Sequence, residues 1–134
     1  MIVALHVATG GAAGLVARSR LAALLLGPPL HVAADRVPHQ DIPSRRFEIA
    51  SGAVCLVLLA ARRGPFDPVT LGGAACAAPD LEHLSRRLRP LGRKLFHGGH
   101  HAAHRPFGGF PATAQLLVAG TMVGLLLGPR VSRR

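Results

Sequence analysis

Apolar residues in this sequence gather into five long blocks and do not follow the period of a surface helix or strand. The blocks cover 1–17 (MIVALHVATGGAAGLVA), 21–34 (LAALLLGPPLHVAA), 49–61 (IASGAVCLVLLAA), 69–79 (VTLGGAACAAP) and 112–128 (ATAQLLVAGTMVGLLLG). Blocks that are apolar all round predict buried or membrane helices, not amphipathic surface ones. Each is shorter than the roughly 20 residues needed to cross a bilayer upright. Flanking polar residues extend most of them to about 17 to 21, with arginine stems reaching back along apolar surface. The fourth block is the weakest candidate for crossing. The pattern therefore predicts an all-α integral membrane bundle of four to five short transmembrane helices, in a single domain over residues 1–134.

Prolines and glycines set finer expectations. Gly27-Pro28-Pro29 interrupts the second block, and a proline pair suits a first helical turn, so a helix starting there would carry His31 and Asp35. Pro38 biases Val37 away from helical angles and ends it. Pro43, the stretch RRGPFDP at 62–68 and Arg89-Pro90 mark loops. Residues 85–111 read as a basic, His- and Gly-rich loop or interfacial segment. The first block has no basic residues before it and carries His6 within it, so it reads as retained and not as a signal peptide.

Composition narrows the class. The chain is 49% hydrophobic and only 4% aromatic, with a formal net charge of +10 and a pI near 11.8. That charge would suit nucleic acid or an anionic membrane surface. A nucleic-acid binder interleaves its cations with aromatics on one face. Here the arginines fall between apolar blocks, at 18 and 20, 45 and 46, 62 and 63, 86 to 93 and 130 to 134. Charge punctuating apolar blocks is a membrane pattern. No nucleic-acid partner is expected, and a basic nucleic-acid-binding protein is the lesser alternative. Cys55 and Cys76 lack CxxC spacing and read as small buried hydrophobes.

Chemistry concentrates in a few polar clusters. His31 and Asp35 are four apart and share a helical face. His39 lies past Pro38, and Asp41 follows. A second group, PDLEH, gives Asp80, Glu82 and His83. Each has an ordinary explanation alone: Asp80 as a helix cap, His6 bonding a neighbouring backbone, and His97, His100, His101 and His104 as a solvated loop. Alternate crossing of the five blocks changes that weighing. Among the six acidic residues and eight histidines, all except Asp67 then fall on or near one membrane face. Ionisable groups at membrane depth are costly and point to function.

The motifs HVATGG, HVAADRVPHQD and PDLEH resemble those of the membrane-bound metal-dependent hydrolases, small polytopic proteins of bacteria and archaea. The resemblance covers about residues 1 to 85, with a looser echo in LFHGGHHAAHR. It implies His6, His31, Asp35, His39, Asp80 and His83 as candidate metal-site residues in a bacterial inner-membrane protein.

Imidazole and carboxylate ligands suit Zn²⁺, Mn²⁺ or Fe²⁺, and Zn²⁺ or Mn²⁺ is the expected cofactor. His31, Asp35 and His39 would hold it together with Asp80 or His83, leaving a position that lowers the pKa of water. Glu82 or Asp41 is the candidate general base, and His6 the group that orients a ligand or substrate oxygen. Arg86, Arg87 and Arg89 are candidates for holding an anionic lipid head group. The sequence thus predicts a metal site at one membrane face, serving hydrolysis of a lipid or other membrane-borne substrate. A non-catalytic metal-binding or structural membrane protein is the alternative.

Overall fold

The computed structural model describes residues 1–84, 92–93, 96 and 108–129, and these form an all-helical bundle. Its elements are α1 (Val3–Ala17), α2 (Arg20–Asp35), α3 (Arg45–Arg63), α4 (Pro68–Ala77), a 3₁₀ turn (Ala78–Asp80), the single turn α5 (Leu81–Leu84) and α6 (Ala112–Leu126). No described helix is long and apolar enough to cross a membrane. Four of the five apolar blocks become helices of 15, 16, 19 and 15 residues, and the fourth one of 10.

Helix α1 is the hub, packing against α2, α3, α4 and α6. Its own sequence is a poor helix in isolation, because Gly10, Gly11 and Gly14 each cost about 1 kcal/mol of propensity relative to alanine. Packing supplies what propensity lacks. A Cβ at Gly10 would collide with the Gly72 carbonyl of α4, and one at Gly14 with the Pro68 carbonyl. The two helices therefore run antiparallel with their backbones in contact, as small residues permit. Gly27 brings α2 against Ala75 of α4 in the same way. The fourth block, the shortest of the five as a helix, is the wedge on which α1 and α2 close.

The helix starts follow from local chemistry. Ser19 and Ser44 accept hydrogen bonds from the Ala22 and Phe47 amides, and Asp67 accepts from the Val69 amide ahead of Pro68. These are N-cap contacts, and Pro68 fills the first helical turn where no donor is needed. Arg18, in the left-handed region at φ 53°, turns the chain from α1 into α2. At the same end, Arg62 and Arg63 donate to the Leu127 and Leu126 carbonyls, closing the C-terminus of α6.

One expectation is corrected here. Helix α2 does not begin at Pro28; it runs unbroken from Arg20 through Pro28 and Pro29 to Asp35. The two prolines withhold the N–H groups that Leu24 and Leu25 would otherwise receive. The Ser19 cap and the close approach of Gly27 to α4 hold the helix together across that gap.

The opposite end of the bundle is tied by the 38–41 loop. The Gln40 amide donates to Phe110 O at 3.0 Å and the Phe110 amide to Pro38 O at 2.8 Å. Gln115, fully buried on α6, completes the tie. Its amide NH₂ donates to Gln40 O and Phe110 O, and its carbonyl accepts the Ile2 amide. Gln115→Leu keeps the volume but strips the buried Ile2 amide and the half-buried Gln40 carbonyl of their side-chain partner. A loss of about 2 kcal/mol is expected, read as the shift of a denaturation curve. An unmoved midpoint would show that the amide does not hold this end together.

Candidate metal centre

Three helices deliver polar side chains to that tied end. His6 comes from the second turn of α1, His31 and Asp35 from the last turns of α2, and Asp80 from the turn after α4. All three of His6, His31 and Asp35 are buried. The Asp35 carboxylate lies between the two imidazoles, with Oδ1 3.0 Å from His6 Nε2 and Oδ2 3.2 Å from His31 Nε2. Asp80 Oδ1 lies 3.9 Å from the same His31 nitrogen. The two rings stack, with centroids 3.9 Å apart and planes inclined by 27°.

Protonation follows from the partners. His31 Nδ1 is 2.8 Å from the Cys76 carbonyl. A carbonyl only accepts, so Nδ1 carries the proton and Nε2 holds the lone pair of the neutral ring. That lone pair faces two carboxylates. The Met1 ammonium, 2.7 Å from Asp35 Oδ1, supplies one cation to this cluster, and the neighbouring acceptors suit a second. His6 tells the same story from the other side. Its Nε2 is engaged with Asp35, and its buried Nδ1 has no hydrogen-bond partner among the described residues. Each histidine thus has one nitrogen held by an orienting partner, Cys76 O for His31 and Asp35 for His6, as ligating histidines do.

His6, His31 and Asp80 each offer one ligand atom, and these atoms lie within 4.8 Å of one another. The donor set of two imidazoles and one carboxylate fits a divalent ion, and ligation at about 2.0–2.2 Å would draw the three side chains closer. Three protein ligands is the number found in catalytic zinc sites, whereas structural sites use four.

The remaining sequence candidates fall around this core. Asp35 bridges the two histidines and also pairs with the Met1 amine at 2.7 Å. His39 is buried one layer out. Its Nδ1 donates to Val37 O at 2.6 Å, and its Nε2 lies against the Met1 amine and 3.4 Å from Asp41 Oδ1. Those hydrogen bonds, first the one with Asp41, hold the His39 pKa above its ordinary 6.5. Asp41 itself is exposed. Glu82 is buried with its carboxylate accepting the Phe96 amide at 3.2 Å. The His83 carbonyl accepts a hydrogen bond from Arg45. Arg86, Arg87, Arg89 and the four histidines from 97 to 104 lie outside the described residues.

Glu48 and Gln115 are the residues that sequence reasoning did not single out. Glu48 sits in the first turn of α3, and its pKa is pushed up to about 7, chiefly by burial and then by the charges of Asp41 and Asp80. A carboxylate in a first helical turn also suits the positive end of the helix dipole. A carboxyl whose folded pKa exceeds its ordinary 4.5 binds a proton in the native state that the unfolded chain has released. Stability is then present below pH 4.5, declines as pH rises towards 7, and is level above it. His39, raised above 6.5, loses its contribution in the same direction as pH rises further. Thermal midpoints of metal-free protein are therefore expected to fall between pH 5 and 7.5. Glu48→Gln should flatten the lower part of that slope, and a mutant profile parallel to wild type would refute the assignment.

Comparisons of this chain with protein-family models, with curated proteins and with solved structures give no match.

Proposed function

We propose that this chain is a membrane-embedded helical protein that holds one divalent ion, Zn²⁺ or Mn²⁺, among His6, His31 and Asp80. We propose further that the ion serves hydrolysis of a membrane-borne substrate, the activity implied by the resemblance to membrane-bound metal-dependent hydrolases. The observation that carries the metal reading is the convergence of those three ligand atoms within 4.8 Å, with the His31 tautomer set by Cys76. In such a site the ion would supply Lewis acidity towards water or a carbonyl or phosphoryl oxygen.

Embedding is supported by an inverted distribution of side-chain size. Gly and Ala fill half or more of the buried positions on each of α1, α2 and α4, while Val16, Leu117 and Leu125 are 81%, 74% and 75% exposed. Leu21, Leu24, Leu25, Val54, Val57 and Leu58 also face outward. Water would penalise such a surface, and lipid would not. The four longer helices, of 15 to 19 residues, rise about 22 to 28 Å against a hydrocarbon layer of about 30 Å. Arginines at their ends reach the remainder. In this reading the apolar stretches 21–34, 49–61 and 112–128 lie in the lipid of a bacterial inner membrane.

A second reading, a metal-binding membrane protein without catalysis, is favoured by one contact. Glu82, the carboxylate expected to act as base, accepts the Phe96 amide. Alkaline carbonate extraction of native membranes tests the embedding: the chain stays in the pellet, and release into the supernatant refutes it. Hydrolysis of ester and phosphoester lipids by the purified protein, lost with chelator and restored by Zn²⁺ or Mn²⁺, separates the two readings.

A further inference from the structure

A groove of about 430 Å³ runs between α1, α3 and α4 and ends on the metal centre. Small residues on two helices make it, notably Ala53 on α3 and Ala74 on α4, while Val7 and Leu56 form apolar walls. Asp80 is its polar lining residue, and Asp80 is also one of the three potential ligands. The volume lies within the range of about 300–1,000 Å³ typical of small-molecule sites. A peptide would leave its backbone N–H and C=O groups without partners along those walls, at a cost that an alkyl chain does not incur.

Charge at the Asp80 end selects the head group. Without an ion, Asp80 would repel an anion; with one, the end of the groove becomes cationic. Arg45 adds to this. It is exposed, it lies one helical turn before the lining residue Ile49, and its guanidinium is held over the α5 turn by the His83 carbonyl. A planar guanidinium beside a divalent ion matches phosphate.

We propose that this groove takes the acyl chain of a single-chain phospholipid, with the phosphate at the Asp80 end against the ion and Arg45. The inference rests on the metal reading above and names the substrate class of that same site. A chain entering between α1 and α3 would come directly from the surrounding lipid, since Val54 and Val57 beside the groove face outward.

Native mass spectrometry of the Zn²⁺-loaded full chain in detergent, with lauroyl lysophosphatidate as probe, tests it. Wild type is expected to carry one lipid, and chelation of the ion to weaken binding. Ala53→Phe fills the groove from an exposed helix position. Excluding two methylenes lowers affinity about fifteenfold, since each buried methylene contributes about fourfold, while bound metal is unchanged. Leu117→Phe, on an outward face of α6 away from the groove, leaves binding as in wild type. Equal binding of glycerol phosphate, equal binding of dilauroyl phosphatidate, or indifference to Ala53→Phe would each overturn the groove assignment. Metal retained with no lipid bound overturns this inference alone, whereas a chain that takes up no metal overturns the reading beneath it.

Discussion

Replacing His31 by alanine is expected to reduce bound Zn²⁺ or Mn²⁺ from about one per chain, the occupancy of a single mononuclear site, to background. His31 is the residue whose geometry is most fully determined. Cys76 O fixes the tautomer, Asp35 and Asp80 flank Nε2, and the His6 ring stacks on its face. Alanine removes a ligand and leaves buried Asp35 and half-buried Asp80 without the imidazole between them. Asp35→Asn is the milder companion. It keeps the shape but weakens the hydrogen bond that orients His6, and loss of such an orienting partner typically costs 10- to 100-fold in metal affinity, so about that factor is expected. Inductively coupled plasma mass spectrometry gives the stoichiometry, with circular dichroism confirming helix content. Unchanged stoichiometry in both His31→Ala and Asp80→Ala would remove the site.

The second large effect lies away from the ligands. Gly10→Val is expected to destabilise the fold by about 3 kcal/mol or more, the upper range for overpacking. The added side chain meets the Gly72 carbonyl, which is backbone and cannot rotate aside. Helices α1 and α4 must then part, and Asp80, carried just beyond α4, moves away from His6. Metal affinity should fall together with stability, although no ligand has changed. Gly120→Ala and Gly124→Ala on α6 are the contrast, because a Cβ there meets nothing within 4 Å. These should gain about 0.5–1 kcal/mol from helix propensity. Equal effects at Gly10 and Gly120 in a denaturation series would contradict close packing of α1 on α4.

The helical plan was legible in the sequence because the apolar blocks and their breaks are local features. Ser19, Ser44, and Asp67 with Pro68, open three of the helices, and each is visible within a few residues of its effect. The pairing of His31 with Asp35 was legible for the same reason, as an i, i+4 pair. What escaped depends on distant contacts. Pro28 and Pro29 read locally as a helix start, and the approach of Gly27 to Ala75, with the Ser19 cap, explains an unbroken α2. Gln115 meets Ile2 across 113 positions, and nothing near either residue announces it. Within the site, the sequence grouped His31, Asp35 and His39 by proximity along the chain. Folding instead brings His6 and Asp80 to His31 and sets His39 beside Asp41 and the Met1 amine. Pro38 ends the helical register, so His39 cannot continue the face that His31 and Asp35 share.

X-ray absorption at the zinc edge of the Zn²⁺-loaded full chain examines the metal centre most directly. The expected spectrum shows two imidazoles and carboxylate oxygen at about 2.0–2.2 Å, losing one imidazole in His6→Ala. A sulfur-dominated shell from Cys55 or Cys76, or no zinc retained through gel filtration, would contradict a metal centre built on His6, His31 and Asp80.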